Sequence, residues 1–147
     1  MLNHYCFDIQ KSDFHCFVAC LTSFLRENGF NITQDEIVDT CPDLFNKGKH
    51  HEGSFDSQYF QKLEPFFPIK VSPFTKDHLT WEFPKQSIFI TVAWRNDINA
   101  KHAVRVLGQN GDNVRLHNPI ADRATLENAD DFFSWRPRNR FFVEFTG

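Results

Sequence analysis

The stretch "KSDFHCFVACLTSFLRENG", residues 11–29, decides how the rest of the chain is interpreted. It begins as a polar loop and continues with apolar residues three and four apart, which is the spacing of an amphipathic helix. We predict a helix over residues 14–27 that ends at Asn28-Gly29, a pair able to take the left-handed backbone conformation of a helix C-cap. Cys16 and Cys20 lie in its first turns, so the question is whether either thiol is packing, a metal ligand or a nucleophile.

Length and composition predict a single domain over residues 1–147. A chain of this size buries about 70% of the surface that its unfolded form exposes, so it can hold a core without disulfides or metals. The hydrophobic share of 41% and the charged share of 24% are those of a globular protein. The net charge of −3 gives no reason to expect a nucleic acid or an anionic membrane as a partner.

The N-terminal residues have no basic region followed by an apolar run, so no secretory signal is expected. No apolar stretch reaches the roughly 18 residues of a membrane span. We therefore expect a cytoplasmic protein whose four cysteines are free thiols. Delivery into another cell by a secretion machine that reads no cleavable signal is compatible with the same pattern.

The periodicity of the chain predicts helices first and strands afterwards. A second helix should begin after Thr33, which forms a capping box with Glu36, and a third is predicted over residues 53–67. Strands are predicted at residues 87–94, 103–109, 113–118 and 140–145. A hairpin turn at 109–112 joins the second and third strands, and a short helix over 126–134 precedes the last. This order is typical of an α+β fold with helices packed on one side of an antiparallel sheet.

Cys16 has the surroundings that a nucleophilic thiol requires. A helix N-terminus supplies unpaired backbone N–H groups and a partial positive charge, and both lower the pKa of a thiol. Cys20 lies one turn further in, beside the apolar face, and is interpreted as a small buried hydrophobic residue. A lone cysteine is more often packed than reactive, so the nucleophile hypothesis depends on an imidazole and a third group elsewhere in the chain.

His102 and Asn118 are the candidates for those two groups. His102 opens the strand "AVRVLG", and Asn118 ends the strand that returns from the hairpin, just before Pro119. Two antiparallel strands joined by a tight turn have their outer ends side by side, so these residues are predicted neighbours. An Asn carbonyl that accepts the imidazole N–H would orient the ring without adding charge. Asp97 and Asp122 are weaker candidates for the orienting group.

Gln10 completes a set of four residues in a characteristic order. Its side-chain amide lies six residues before Cys16, and it joins the backbone N–H of Cys16 as a candidate donor to an oxyanion. Gln10, then Cys16 followed by "ACL", then "HAVRVLG" and "HNP" together resemble the papain-like fold. The order is most similar to the peptidases that remove double-glycine leaders from bacteriocins inside ABC exporters. The resemblance covers residues 8–135 and implies a Cys16 nucleophile, a His102 general base, an orienting Asn118 and a Gln10 oxyanion donor.

The chain departs from the pattern of that family at three positions. Phe17 stands where the family usually has Gly, His15 where it commonly has Asp, and Asn118 where the exporters usually have Asp. Phe17 and His15 flank the nucleophile and are predicted to contact the substrate, which is expected to be a protein or peptide. Asn serves the orienting role in other papain-like enzymes, so the predicted hydrolase keeps its catalytic groups. This chemistry needs no cofactor and no metal.

Three alternatives stay open at this point. The same groups would serve a bacterial effector or toxin that deamidates a glutamine of a host protein, and a chain without an attached exporter is compatible with that role. A host protein would then be the target or an activating partner. A catalytically silent peptide-binding module is the second alternative, since Phe17 beside the thiol could obstruct a cleft. The third is a zinc site with ligands among His15, Cys16, Cys20, His50 and His51. No second close pair of cysteines completes such a site, which favours the hydrolase.

Overall fold

A computed structural model describes residue 9 and residues 16–41, 61–73, 86–93, 101–120, 123–134 and 137–147. Within these ranges the helices are α1 (Cys16–Glu27), α2 (Gln34–Thr40) and α3 (Ala129–Ser134). The strands are β1 (Ile69–Pro73), β2 (Gln86–Ala93), β3 (Lys101–Asn110), β4 (Asn113–His117), β5 (Thr125–Asn128) and β6 (Pro137–Phe145). They form one antiparallel sheet in the order β1-β6-β2-β3-β4-β5, so the last strand of the chain lies between the first two. The predicted sequence of helices followed by an antiparallel sheet is confirmed.

Helix α1 lies at the centre of the core. The four residues of its predicted apolar face are at most 1% exposed: Phe17, Leu21, Phe24 and Leu25. They form one apolar cluster with Ile69, Val71 and Val143 of the sheet. Burial extends around the rest of the helix as well, because Thr22 is fully buried and its hydroxyl donates to the carbonyl of Val18 at 2.8 Å. The helix is therefore enclosed almost all round, which is more than an amphipathic pattern predicts.

The C-terminal end of α1 is formed as predicted at Asn28-Gly29. Gly29 has a φ of 85°, in the left-handed region. Its N–H donates to the carbonyl of Arg26 at 3.0 Å, and the N–H of Phe30 donates to that of Leu25 at 2.9 Å. These two bonds are the Schellman pattern, which satisfies carbonyls that the helix itself leaves without donors.

Two further local predictions are confirmed. The Thr33 hydroxyl accepts from the N–H of Glu36 at 3.2 Å and donates to its carboxylate at 3.0 Å, so the predicted pair of Thr33 and Glu36 caps the start of α2. The hairpin turn predicted at 109–112 connects β3 to β4, with Gly111 at a φ of 61°. Each of these features depends on residues that are close together in the chain.

The helix predicted over 126–134 is wrong in its first part. Residues 125–128 form β5, which pairs with β4, and only then does α3 begin. Asn128 marks the change, because its side-chain oxygen accepts from the N–H of Asp131 at 3.1 Å, as a helix N-cap does. An Asn inside the predicted helix was the signal that the helix starts later.

Two other segments differ from the prediction, and one of them lies partly outside the described residues. β1 is not among the predicted strands; it is a short edge strand in which Pro73 is tolerated because only one side of it pairs. Of the helix predicted over 53–67, residues 53–60 lie outside the described residues. Residues 61–67 form mainly turns, and Leu63 is buried in the core. No helix in the described part of the chain combines the length and apolar character needed to cross a membrane.

We predict that Gly29→Ala lowers the free energy of unfolding by about 1–2 kcal/mol, because a side chain is disfavoured in the left-handed region. A Cβ at this position meets nothing within 4 Å, so the backbone conformation alone carries the cost. Gly108→Ala is the matched control, since its Cβ also enters open space and its φ is not left-handed. Urea denaturation should show a change of at most about 0.5 kcal/mol for the control. Equal losses in both variants would contradict the assignment.

Candidate active site

Cys16 is the first residue of α1, so the predicted nucleophile stands at a helix N-terminus. The N–H groups of this first turn have no partner within the helix and carry a partial positive charge. The Cys16 side chain is 3% exposed and belongs to the apolar cluster around α1. Because water is largely excluded, the electrostatic effect of the helix end on the thiol is screened little.

The β3–β4 hairpin brings the strand that carries His102 beside the strand that precedes Asn118. His102 is the second residue of β3, and Asn118 directly follows β4. Arg105 lies opposite His117 across the pair. If this register continues for one residue, Asn118 lies opposite Val104, two positions from His102. Diagonal neighbours of this kind are roughly 7–8 Å apart, within reach of long side chains. The backbone thus brings the predicted pair to one end of the hairpin, while contact between their side chains stays a prediction.

Asn118 is half-buried and already makes a local hydrogen bond. Its Oδ1 accepts from the N–H of Ile120 at 3.4 Å, which closes a turn over Pro119. An amide oxygen has two lone pairs, so the same atom can accept a second hydrogen bond from an imidazole. The turn therefore restricts the side chain without using up its capacity to orient a ring.

Four predicted residues lie outside the described residues: Gln10, His15, Asp97 and Asp122. Ile9, which precedes the predicted oxyanion donor, is held in place from α2. The side-chain amide of Gln34 donates to the Ile9 carbonyl at 2.7 Å, and Gln34 is only 6% exposed. The Ile9 backbone is therefore tied to α2.

Phe17 fills core volume directly after Cys16, the predicted nucleophile. Its side chain is 1% exposed and packs in the apolar cluster around α1. The bulk that distinguishes it from the glycine usual at this position is thus accommodated by the core. Its contact with a substrate stays a prediction.

A buried cluster of polar side chains beneath α1 was missed by sequence reasoning. Glu27 and Arg105 form a two-pronged ion pair, with Nη1 to Oε1 at 2.5 Å and Nη2 to Oε2 at 2.6 Å. Nη2 also lies 3.4 Å from Nδ1 of His117. A guanidinium only donates, so a hydrogen bond at this contact requires Nδ1 to be the acceptor. Glu27, Arg105 and His117 are at most 2% exposed.

The chain contains a signal for this cluster. Arg105 interrupts the apolar strand "AVRVLG", and a charge at the centre of such a strand requires a buried partner. The identity of the partner is not readable from spacing, because Glu27 is 78 residues away. Glu27 itself resembles an ordinary polar residue in the last turn of a helix.

Cys20 is confirmed as a packed thiol. It is fully buried, and its S–H donates to the carbonyl of His117 at 4.0 Å, a distance typical of a weak sulfur contact. Burial raises the pKa of Cys20 strongly; the nearby Arg105 guanidinium opposes this increase, while Cys16 and Glu27 add to it. Burial also raises the pKa of Cys41.

No metal centre is formed by the residues that the structure describes, since no three His, Cys, Asp or Glu side chains there are grouped to hold an ion. Three of the five candidate zinc ligands lie outside those residues: His15, His50 and His51. The three described cysteines, Cys16, Cys20 and Cys41, form no disulfide.

No family model matches the chain, and no curated protein matches its sequence. Its fold, however, is similar to the peptidase domain of Streptococcus ComA, a bi-functional ABC transporter involved in a quorum sensing pathway. The match has a TM-score of 0.71 and covers 96% of this chain and 98% of that domain. The fold is papain-like. The predicted α+β papain-like architecture and its likeness to exporter peptidase domains are thereby confirmed. Sequence identity is 15%, so the likeness concerns the papain-like architecture alone.

We predict that the free energy of unfolding falls as pH rises above about 8.5, where an unfolded thiol ionises. Burial raises the pKa of Cys20 in the folded state, so above this pH the unfolded chain binds fewer protons than the folded one. The expected loss is up to about 1.4 kcal/mol per pH unit for each such thiol. Urea denaturation over a pH series measures it. Cys20→Ala should show a shallower slope, and an unchanged slope would contradict the role assigned to Cys20.

Proposed function

We propose that this chain is a papain-like cysteine hydrolase that cleaves peptide bonds, with Cys16 as its nucleophile. The observation that carries the proposal is the placement of Cys16 at the start of α1 in a fold that matches a peptidase domain over 96% of the chain. Support also comes from the hairpin, which brings the backbones of His102 and Asn118 to one end. Cytoplasmic action remains part of this proposal.

In the proposed reaction, His102 accepts the thiol proton and the Cys16 thiolate attacks the carbonyl carbon of the substrate amide. The side-chain amide of Gln10 and the backbone N–H of Cys16 donate to the oxyanion of the tetrahedral intermediate. The C–N bond then breaks, His102 protonates the leaving amine, and a thioester remains on Cys16. A water molecule, deprotonated by His102, hydrolyses the thioester and restores the thiol.

Asn118 has the role of orienting the imidazole. Its Oδ1 accepts the ring N–H that is not directed at the thiol, which selects the required tautomer. An amide adds no negative charge beside the His102 imidazolium. The imidazolium is therefore stabilised by the Cys16 thiolate, and the thiolate in turn by the positive end of α1. The turn over Pro119 holds this oxygen near the backbone.

Glutamine deamidation is the closest alternative, because it uses the same thioester and differs only in that ammonia leaves. A bacterial effector or toxin acting on a host protein would use this chemistry. Mass spectrometry of a treated target separates the two activities. Peptidase activity splits the chain, whereas deamidation leaves it whole and adds about one dalton per site. We expect cleavage, and intact chains with that mass increase would instead assign the protein as a deamidase.

We predict that iodoacetamide alkylates Cys16 at a pH well below the ordinary thiol pKa of about 8.5. Cys20 and Cys41 should stay unmodified, since burial raises their pKa values. In His102→Ala, Cys16 should lose its reactivity at low pH, because the imidazole no longer stabilises the thiolate. Peptide mass spectrometry reads each cysteine separately.

Cys16→Ala is the control: the alkylated peptide that contains residue 16 should disappear from the mass spectrum. The same variant should have no hydrolytic activity. If Cys16 is as unreactive as Cys20, or reacts identically with and without His102, the catalytic proposal fails. A peptide-binding module without chemistry then becomes the better assignment.

A further inference from the structure

The buried polar cluster joins the helix of the nucleophile to both strands of the hairpin. Glu27 is the last residue of α1, and Arg105 lies in β3, three residues after His102. His117 is the last residue of β4 and directly precedes Asn118. The cluster therefore has one member on α1, which carries Cys16, one on β3, which carries His102, and one on β4, directly before Asn118.

The geometry of the cluster restricts sliding and rotation. The guanidinium and the carboxylate meet through two parallel hydrogen bonds, at 2.5 and 2.6 Å, which set orientation as well as distance. The contact of Nη2 with Nδ1 of His117 extends the constraint to β4. The Cys20 thiol adds a second link between α1 and His117. Apolar contacts alone are not directional and permit small shifts between a helix and a sheet.

Stability is a poor explanation for such a pair. Desolvating two charges costs about as much as their attraction returns, and well-packed apolar residues of similar volume often replace a buried pair without loss. A carboxylate in the last turn is also disfavoured by the negative end of the helix dipole. A role in setting where α1 lies on the sheet would explain why Glu27 and Arg105 are buried as a pair.

A displacement at one end of α1 is transmitted to the other. The helix has 12 residues and spans about 16 Å between the first and last Cα atoms. It is enclosed by the core along its length, so we expect a shift at one end to displace the whole helix. A shift at Glu27 thus changes the position of Cys16 relative to the hairpin.

We propose that Glu27, Arg105 and His117 are positioning residues that set the placement of Cys16 relative to His102 and Asn118. This inference rests on the proposed function. In this role the three residues act through the position of α1 and take no part in the chemical step. The cluster fixes α1, which carries Cys16, against the hairpin that positions His102 and Asn118.

The test compares Cys16 alkylation in full-length variants. Glu27→Met/Arg105→Met removes both charges and keeps similar volume, so its melting temperature should stay within a few degrees of the wild type. Its Cys16 alkylation rate at neutral pH should fall at least tenfold, and its pH profile should shift towards that of an ordinary thiol. Arg105→Lys keeps the positive charge but not the two-pronged geometry, and should show the same direction of change.

Phe142→Ala is the matched control for destabilisation, because Phe142 is a buried residue of β6 that lies outside α1, β3, β4 and the apolar cluster around α1. It should lower the melting temperature while leaving the Cys16 rate within twofold of the wild type. A folded double variant with the wild-type rate and pH profile would overturn the inference. Should the double variant fail to fold, wild-type behaviour of Arg105→Lys would overturn it equally.

Failure of the proposed function is a separate outcome. It appears in the wild type itself, as a Cys16 that titrates like an ordinary thiol and does not respond to His102→Ala. A wild type with low-pH, His102-dependent reactivity that the double variant retains would preserve the hydrolase and remove only the positioning role.

Discussion

The buried ion pair between Glu27 and Arg105 is the interaction on which the relation between helix and sheet depends. Helix α1 is enclosed almost completely, so every polar group it carries into the core needs a partner there. Glu27 finds that partner on β3, and the two-pronged contact is specific in direction. The apolar cluster supplies the bulk of the driving force for burying α1, whereas the ion pair selects one arrangement among those the apolar surfaces would accept.

The candidate site is formed by the N-terminus of α1 and one end of the β3–β4 hairpin. Placing a thiol on the first residue of α1 sets it beside a positive helix end, which favours a thiolate, whereas low water access opposes ionisation and makes a neighbouring imidazole necessary. His102 lies on β3 and Asn118 directly follows β4, so a single hairpin brings the proposed imidazole and its proposed orienting amide to one end. The proposed catalytic site then forms once α1 and the hairpin are held in one relative position.

Features determined by neighbours in the chain were predictable, and features determined by distant partners were not. The capping box of Thr33 and Glu36, the left-handed Gly29 and the hairpin at Gly111 each depend on a few adjacent residues. β5 was mistaken for the start of a helix because its strand conformation comes from pairing with β4. The partner of Arg105 could not be identified for the same reason. Of the candidate site, the helix position of Cys16 and the hairpin ends were predictable, because local pattern places both.

The measurement that tests the central claim most directly is a cross-link between Cys16 and His102. Dibromoacetone carries two alkylating carbons, so a thiolate that it modifies is joined to an imidazole only if the ring is adjacent. The proposed site predicts one cross-linked peptide pair containing Cys16 and His102, absent in Cys16→Ser and in His102→Ala. A cross-link from Cys16 to His15 or His117 instead, or a Cys16 that reacts without being joined to any histidine, would contradict it.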